Sequence, residues 1–339
     1  LIALSTATLA GIIISFFLRQ TYSLFLMIPF VIVLWCAVLI TENKRRDKIT
    51  RLRFALIDSG RWAGAEFPNV NLVRVSSPVE LGDHHFDVLL IDDQIKQQTE
   101  WRTFFLHSHP RIPLTDTRVF YELVSGQVWP ASLFPDSTGI VRPSLYSEFL
   151  KRCSDVLIAA VAIVVMLPLF LVLAPVVTLS SPGGFFFRQQ RVGRDGKIFV
   201  LHKVRTMFLG SELDGPQFAA HQDTRVTSIG RFLRRTRLDE WPQFINVLRG
   251  EMSIIGPRPE RPEWVDQFNH EIPLYELRHT VRPGITGWAQ VNIGYGVGKS
   301  GAETKLNYDL YYLQHLGVAI DVIVIYRTLA TLVRGQGAR

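Results

Sequence analysis

Three long stretches without a charged side chain constrain this chain more than anything else in it. Leu1 to Leu18 and Gln20 to Thr41 carry no Asp, Glu, Lys or Arg, and each is long enough to cross the roughly 30 Å hydrocarbon core of a bilayer as a helix. Residues 1 to 48 are therefore expected to hold at least two transmembrane helices. A secretory signal peptide would have a basic start and a small-residue cleavage site, whereas here one apolar span runs into a second. The chain opens on Leu1, so the reading places the N-terminus further upstream and leaves the number of earlier spans open. Only Arg19 separates the two spans, while Glu-Asn-Lys-Arg-Arg-Asp-Lys follows the second at Glu42 to Lys48. That positive charge puts everything after Thr41 on the cytoplasmic face of the membrane.

The third stretch, Val156 to Phe187, has Lys151 and Arg152 before it and Arg188, Arg191, Arg194 and Lys197 after it, so both ends ask for the cytoplasm. Pro168 and Pro175 interrupt it, each removing a backbone donor. Residues 148 to 187 are expected to form a re-entrant membrane helix hairpin that dips into the bilayer, breaks near Pro168 and returns. An ordinary span is the alternative. A re-entrant anchor would hold the following domain at the membrane surface.

Residues 49 to 147 read as a degenerate Rossmann-like α/β domain. Arg53 to Ile57, Asn71 to Val75 and Phe86 to Ile91 suit buried parallel strands, and Gln94 to Leu106 suits a helix. The first turn, Ser59 to Gly64, lacks the G-x-G-x-x-G spacing that lets backbone approach a pyrophosphate. No dinucleotide chemistry is expected there, and a scaffolding, dimerising or regulatory role fits better.

The formal charge of +7 suits an anionic partner without choosing among nucleic acid, anionic lipid and nucleotide phosphates. Cys36 and Cys153 give no disulfide framework, and nine histidines show no metal-ligand spacing. The informative charges lie in Arg231 to Glu260. There Asp239 and Glu240 follow four arginines and open what reads as a helix, with Asp239 as a candidate cap, Pro242 in the first turn and Gly250 as the stop. Capping alone would explain Asp239. Around it stand Lys203-Val204-Arg205-Thr206-Met207, Asp223 to Thr227, Gly256-Pro257-Arg258-Pro259-Glu260 and Arg282-Pro283-Gly284-Ile285-Thr286-Gly287.

In this order, after a basic-flanked apolar block, the set closely resembles the bacterial sugar transferases that are monotopic phosphoglycosyl transferases, over residues 148 to 334, and its glycine-rich loop after Asn292 resembles exopolysaccharide-initiating members. The resemblance implies transfer of a sugar 1-phosphate from a UDP-sugar to undecaprenyl phosphate, with release of UMP, at the bacterial inner membrane. It implies that Asp239 is the nucleophile and Glu240 a ligand for Mg2+, and that Lys203, Arg205, Arg234, Arg258 and Arg282 bind phosphate or uridine. These are the roles the chemistry needs: a carboxylate approaching a diphosphate requires its charge to be neutralised, and arginine pairs phosphate oxygens two at a time. Residues 188 to 339 are thus the expected α/β catalytic domain, closed by an interfacial or packed helix over Val318 to Val333. Val204, Arg237 and Leu167 depart from the family's usual residues without removing a charged group. The loop from Asn292 to Gly301 reads as a sugar-selecting flap, though no motif names the sugar. Oligomeric state also stays open, with a homodimer through the middle domain allowed. A catalytically silent membrane scaffold is the alternative reading. A nucleic-acid binder ranks last, for want of a recognition helix or aromatic platform.

Overall fold

The computed structural model describes residues 49–57, 60–81, 85–108, 112–129, 145–211, 223–293 and 298–333. The spans expected over residues 1 to 48 lie outside them. The chain divides into two compact units between Thr138 and Gly139.

The first unit is a four-stranded parallel sheet in the order β2-β1-β3-β4, formed by Arg53–Ile57 (β1), Asn71–Val75 (β2), Val88–Ile91 (β3) and Leu114–Asp116 (β4). Phe54 to Ile57 and Leu89 to Ile91 are buried without alternation, as expected of strands covered on both faces. Among the described residues no helix links β1 to β2; the chain turns through residues 60–64, and Trp62 packs with Leu56, Phe120 and Tyr121. The single helix expected from Gln94 to Leu106 is two, Asp93–Gln97 (α1) and Thr99–Ser108 (α2), because Gln98 is extended. β4 and the helix Thr117–Ser125 (α3) were not expected. Their signal was Asp116, which accepts from the Arg118 and Val119 amides as N-cap, with left-handed Gly126 as the stop.

The second unit begins with a 36-residue helix, Leu145–Ser180 (α4), and among the described residues this is the one helix long and apolar enough to cross a membrane. Its backbone stays helical through Pro168 and Pro175, so the break expected near Pro168 is at most a bend within one helix. Ala159 lies in a core with Leu201, Val247 and Met252, and Val177 in a core with Val204 and Leu233, so both halves of the helix pack on the rest of the unit. Between these anchor points Val161, Val164, Val165, Leu167, Leu171 and Val172 remain exposed.

Phe186–Val192 (β5) and Ile198–Val204 (β6) form an antiparallel hairpin. Then follow Ser228–Arg235 (α5), a 3-10 turn at Leu238–Glu240, Gln243–Arg249 (α6), Ser253–Ile255 (β7), Pro262–Glu271 (α7), a 3-10 segment at Tyr275–Thr280 and Gly284–Thr286 (β8). β7 and β8 pair in parallel and approach so closely at Gly284 that an added Cβ would lie 2.1 Å from the Gly256 nitrogen. Trp288–Asn292 (α8), Gly298–Gln314 (α9) and Val318–Val333 (α10) complete the unit. α10 buries Ile320 and Val324 against Ile255, Trp288 and Tyr312, and leaves Val318, Val322, Ile325 and Leu329 exposed. Part of the expected flap, residues 294–297, lies outside the described residues, and the helix resumes at Gly298.

Candidate active site

The site is assembled at the end of β6 and the two turns that face it. Thr227 caps α5 by accepting from the Gly230 amide, and the Thr227 amide donates to the Thr206 carbonyl, which fixes α5 to the chain leaving β6. After α5, Arg237 takes a left-handed conformation (φ 60°), uncommon for a residue with a Cβ, and reverses the chain into the 3-10 turn. Leu238 enters the core with Leu233 and Val177, leaving the next two side chains, Asp239 and Glu240, directed into the site. Both are only 8% exposed.

Asp239 does not cap the following helix as expected. α6 starts at Gln243 with Pro242 in the cap position and no side-chain capping bond. The tighter 3-10 winding of residues 238 to 240 sets the helix start beyond Asp239, so its carboxylate is not committed to backbone amides. The stop is as read: Gly250 is left-handed (φ 84°).

Glu240 is the most heavily paired acid. Arg258 Nη2 donates to its Oε1 at 2.7 Å and Lys203 Nζ at 3.3 Å, while Arg237 Nη1 stands 3.8 Å from Oε2. Burial alone would raise this carboxyl, but Arg258, Lys203 and Arg237 outweigh it and hold Glu240 well below the usual carboxylate range. Asp239 moves the other way: burial raises it, Lys203 opposes the rise, and the Glu240 charge adds to it. Burial also lowers the Lys203 ammonium, against the pull of Glu240. Two adjacent carboxyls with opposite shifts mark a functional site more often than a structural one. Arg234 faces Asp239 electrostatically and is oriented by Nε donating to Thr206 Oγ1 at 2.9 Å.

Lys203, Arg234, Asp239, Glu240 and Arg258 therefore converge; two other expected phosphate binders do not. Arg205 lies past the end of β6, where alternation no longer sets its direction, and its buried guanidinium donates to the carbonyls of Val177, Ser181 and Pro182 at the end of α4. Arg282 donates to the Gly250 carbonyl (3.0 Å) and pairs with Glu148 (3.3 Å), joining the start of α4 to the β7–β8 region.

Sequence reading missed a second charged group beside Arg258. Glu260 lies 3.9 Å from both Arg191 and Lys305. Beyond it Arg278 pairs with Asp309 at 2.9 Å, bonds the Tyr275 hydroxyl and donates to the Arg258 carbonyl at 3.0 Å. Burial pushes the Asp309 carboxyl up to about 6 against the pull of Arg278. The available signal was charge at helical spacing: Lys305 and Asp309 are one turn apart on α9.

Hard oxygen ligands of the Asp239–Glu240 kind suit a magnesium ion. Among the described residues no group of three or more His, Cys, Asp or Glu could hold a metal, so such an ion would share its ligands with substrate phosphates.

The second unit is an α/β unit that combines an exposed apolar helix, consistent with membrane association, with a buried carboxylate pair ringed by cations, a setting that suits an anionic ligand. The chain belongs to the bacterial sugar transferase family, whose model matches residues 146–335. It is 36% identical over 342 residues to the UDP-N-acetylgalactosamine-undecaprenyl-phosphate N-acetylgalactosaminephosphotransferase of Aeromonas hydrophila, covering 99% of this chain and 80% of that protein. It is 42% identical over 185 residues to the UDP-glucose:undecaprenyl-phosphate glucose-1-phosphate transferase of Escherichia coli (strain K12), covering 54% of this chain but 40% of that protein. The exopolysaccharide production protein ExoY of Sinorhizobium fredii is 33% identical over 223 residues, covering 61% of this chain and 95% of that protein.

Proposed function

We propose that this protein transfers a sugar 1-phosphate from a UDP-sugar to undecaprenyl phosphate, at the cytoplasmic face of the inner membrane, and so starts a surface or extracellular polysaccharide. The observation that carries the reading is the buried Asp239 carboxylate, which faces Lys203, Arg234 and Arg258 while its neighbour Glu240 is held in place by Arg258 and Lys203. Such a carboxylate can attack phosphorus only where charge has been neutralised beforehand.

In the proposed first step an Asp239 carboxylate oxygen forms a bond to the sugar-bearing phosphorus. The bond from that phosphorus to the bridging oxygen breaks, its electron pair leaves on UMP, and a phosphoaspartyl sugar remains. In the second step a phosphate oxygen of undecaprenyl phosphate attacks the same phosphorus and the Asp239 carboxylate is released. Lys203, Arg234 and Arg258 orient and neutralise the phosphate oxygens, and the apolar surroundings of Leu238 exclude water. Glu240, with Asp239 beside it, would hold magnesium, which when bound supplies further neutralisation of the diphosphate charge.

The exposed apolar residues of α4, lying between two stretches that each pack on the catalytic unit, support a re-entrant anchor. The first unit is proposed as a scaffold or dimerisation element. The relatives' names differ in the sugar, so the donor is left to experiment. Purified protein should be incubated with magnesium, undecaprenyl phosphate and a panel of UDP-sugars. The proposal requires UMP release from at least one donor and its loss in Asp239→Asn; release from none, or undiminished release from the variant, overturns it.

A further inference from the structure

We infer that Glu260 and Lys305 form a subsite that reads vicinal hydroxyl groups of the donor, next to the phosphate-handling residues; this rests on the function proposed above. Arg258 and Glu260 are two residues apart in the segment between β7 and α7, and Lys305 stands 3.9 Å from Glu260 and within electrostatic reach of Arg258. Arg258 points its guanidinium at Glu240. Glu260 and Lys305 therefore lie beside the Arg258–Glu240 pair.

That segment is held from three sides. Arg191 Nη1 donates to the Pro259 carbonyl (3.2 Å), the Val192 amide to the Glu260 carbonyl (3.0 Å), and Arg278 Nη2 to the Arg258 carbonyl (3.0 Å). Lys305 is fixed on the opposing side by α9, where Asp309, one turn on, is tied to Arg278. A subsite carried on such pinned elements holds its geometry without the ligand.

The chemistry of the pair selects a class of ligand. Glu260 Oε2 is 3.9 Å from Arg191 and Oε1 is 3.9 Å from Lys305, beyond hydrogen-bond length. At those distances the Glu260 oxygens can still accept from a closer donor. Lys305 offers N–H groups to an oxygen lone pair and Glu260 accepts from O–H groups, which is what two adjacent hydroxyls require. A second phosphate would meet the Glu260 charge, so the subsite suits a neutral polyhydroxyl ring lying beside the diphosphate. The ring is either the ribose of the nucleotide or the sugar being transferred. Burial lowers the Lys305 ammonium, with Glu260 opposing, so a new polar partner relieves a desolvated cation.

The test uses the full chain and initial rates of UMP release from the best UDP-sugar, with Glu260→Gln, Lys305→Met and Lys305→Arg. Glu260→Gln and Lys305→Met should raise the donor KM about tenfold or more with kcat changed little, as for loss of a hydrogen-bonding partner to a substrate hydroxyl. Lys305→Arg should recover part of the loss. If the ring is ribose, inhibition by UMP weakens in parallel; if it is the transferred sugar, UMP inhibition is unchanged. Donor KM within twofold of wild type in both variants overturns the inference while the reaction stands. A fall in kcat at constant KM, accompanied by a lower melting temperature, also overturns it, since the residues would then be only structural. Absence of turnover in wild type overturns the proposed function itself.

Discussion

Arg258 places Nη2 2.7 Å from Glu240 Oε1, joining the segment after β7 to the turn that carries Asp239. Glu240 also receives Lys203 from the end of β6. Three chain segments with no local reason to meet are thereby held around one carboxylate, and the orientation of Asp239 depends on all of them.

Removing one partner of this pair should cost more than a surface ion pair would. Arg258→Ala is expected to slow sugar-phosphate transfer by about 100-fold to 1,000-fold, the usual effect of losing one preorganised charge contact in a buried site. Arg258→Lys keeps the charge and loses the planar fork, so it should fall between the variant and wild type. Rates of UMP release, compared with thermal melts to confirm folding, provide the check.

The acid limb of kcat/KM should reflect Asp239. Burial raises its carboxyl above the ordinary value of 3.8, and Lys203 is the strongest force in the other direction. Because the carboxylate is the attacking form, activity should be lost as pH falls through that raised value. Lys203→Met removes the opposing charge, so the residual activity should show its acid limb at higher pH. A shift to lower pH contradicts this electrostatic assignment.

Asp309 makes a separate prediction about stability. Its carboxyl sits at about 6 in the folded chain against an ordinary 3.8, so the native state binds this proton more tightly than the unfolded state. Its ionisation therefore costs nothing below about pH 4 and weakens the fold progressively up to about pH 6, by roughly 3 kcal/mol on this shift. Between those limits wild type should lose stability with rising pH more steeply than Asp309→Asn. The difference in slope is the readout, because Asn also leaves Arg278 without its counter-charge and lowers stability throughout.

Gly230 links packing to the site. A Cβ there would lie 2.1 Å from the Thr206 carbonyl oxygen, a backbone atom that cannot simply rotate away. Gly230→Ala should lower stability by about 1–3 kcal/mol and move α5 off the chain that follows β6. Arg234 would then lose its bond to Thr206, and transfer should fall even at temperatures where the variant is folded.

β1 and β3 were legible because unalternated apolar runs leave few other options, whereas β2, read as a buried strand, is mostly exposed and β4 is too short to signal itself; Lys203, Asp239, Glu240 and Arg258 could be picked out because their motifs, in that order, resemble a family's. Their neighbours were harder for identifiable reasons. Arg205 looks equivalent to Lys203 until β6 ends between them and the alternation stops. Asp239 carries every mark of a cap, and only the 3-10 winding before Pro242 removes that role. Glu260 and Lys305 are far apart in sequence, and their meeting depends on where α9 crosses the β7 region. Pro168 promised a break, yet the helix runs through it without interruption.

The most direct test of the account is isotope exchange in the absence of lipid acceptor. Labelled UMP, magnesium and unlabelled UDP-sugar are incubated with the protein without undecaprenyl phosphate, and label is sought in the UDP-sugar. A phosphoaspartyl sugar on Asp239 predicts exchange that requires no acceptor and disappears in Asp239→Asn. Full transfer in the presence of undecaprenyl phosphate, with no exchange in its absence, would mean direct attack by the lipid phosphate and would contradict the role given to Asp239.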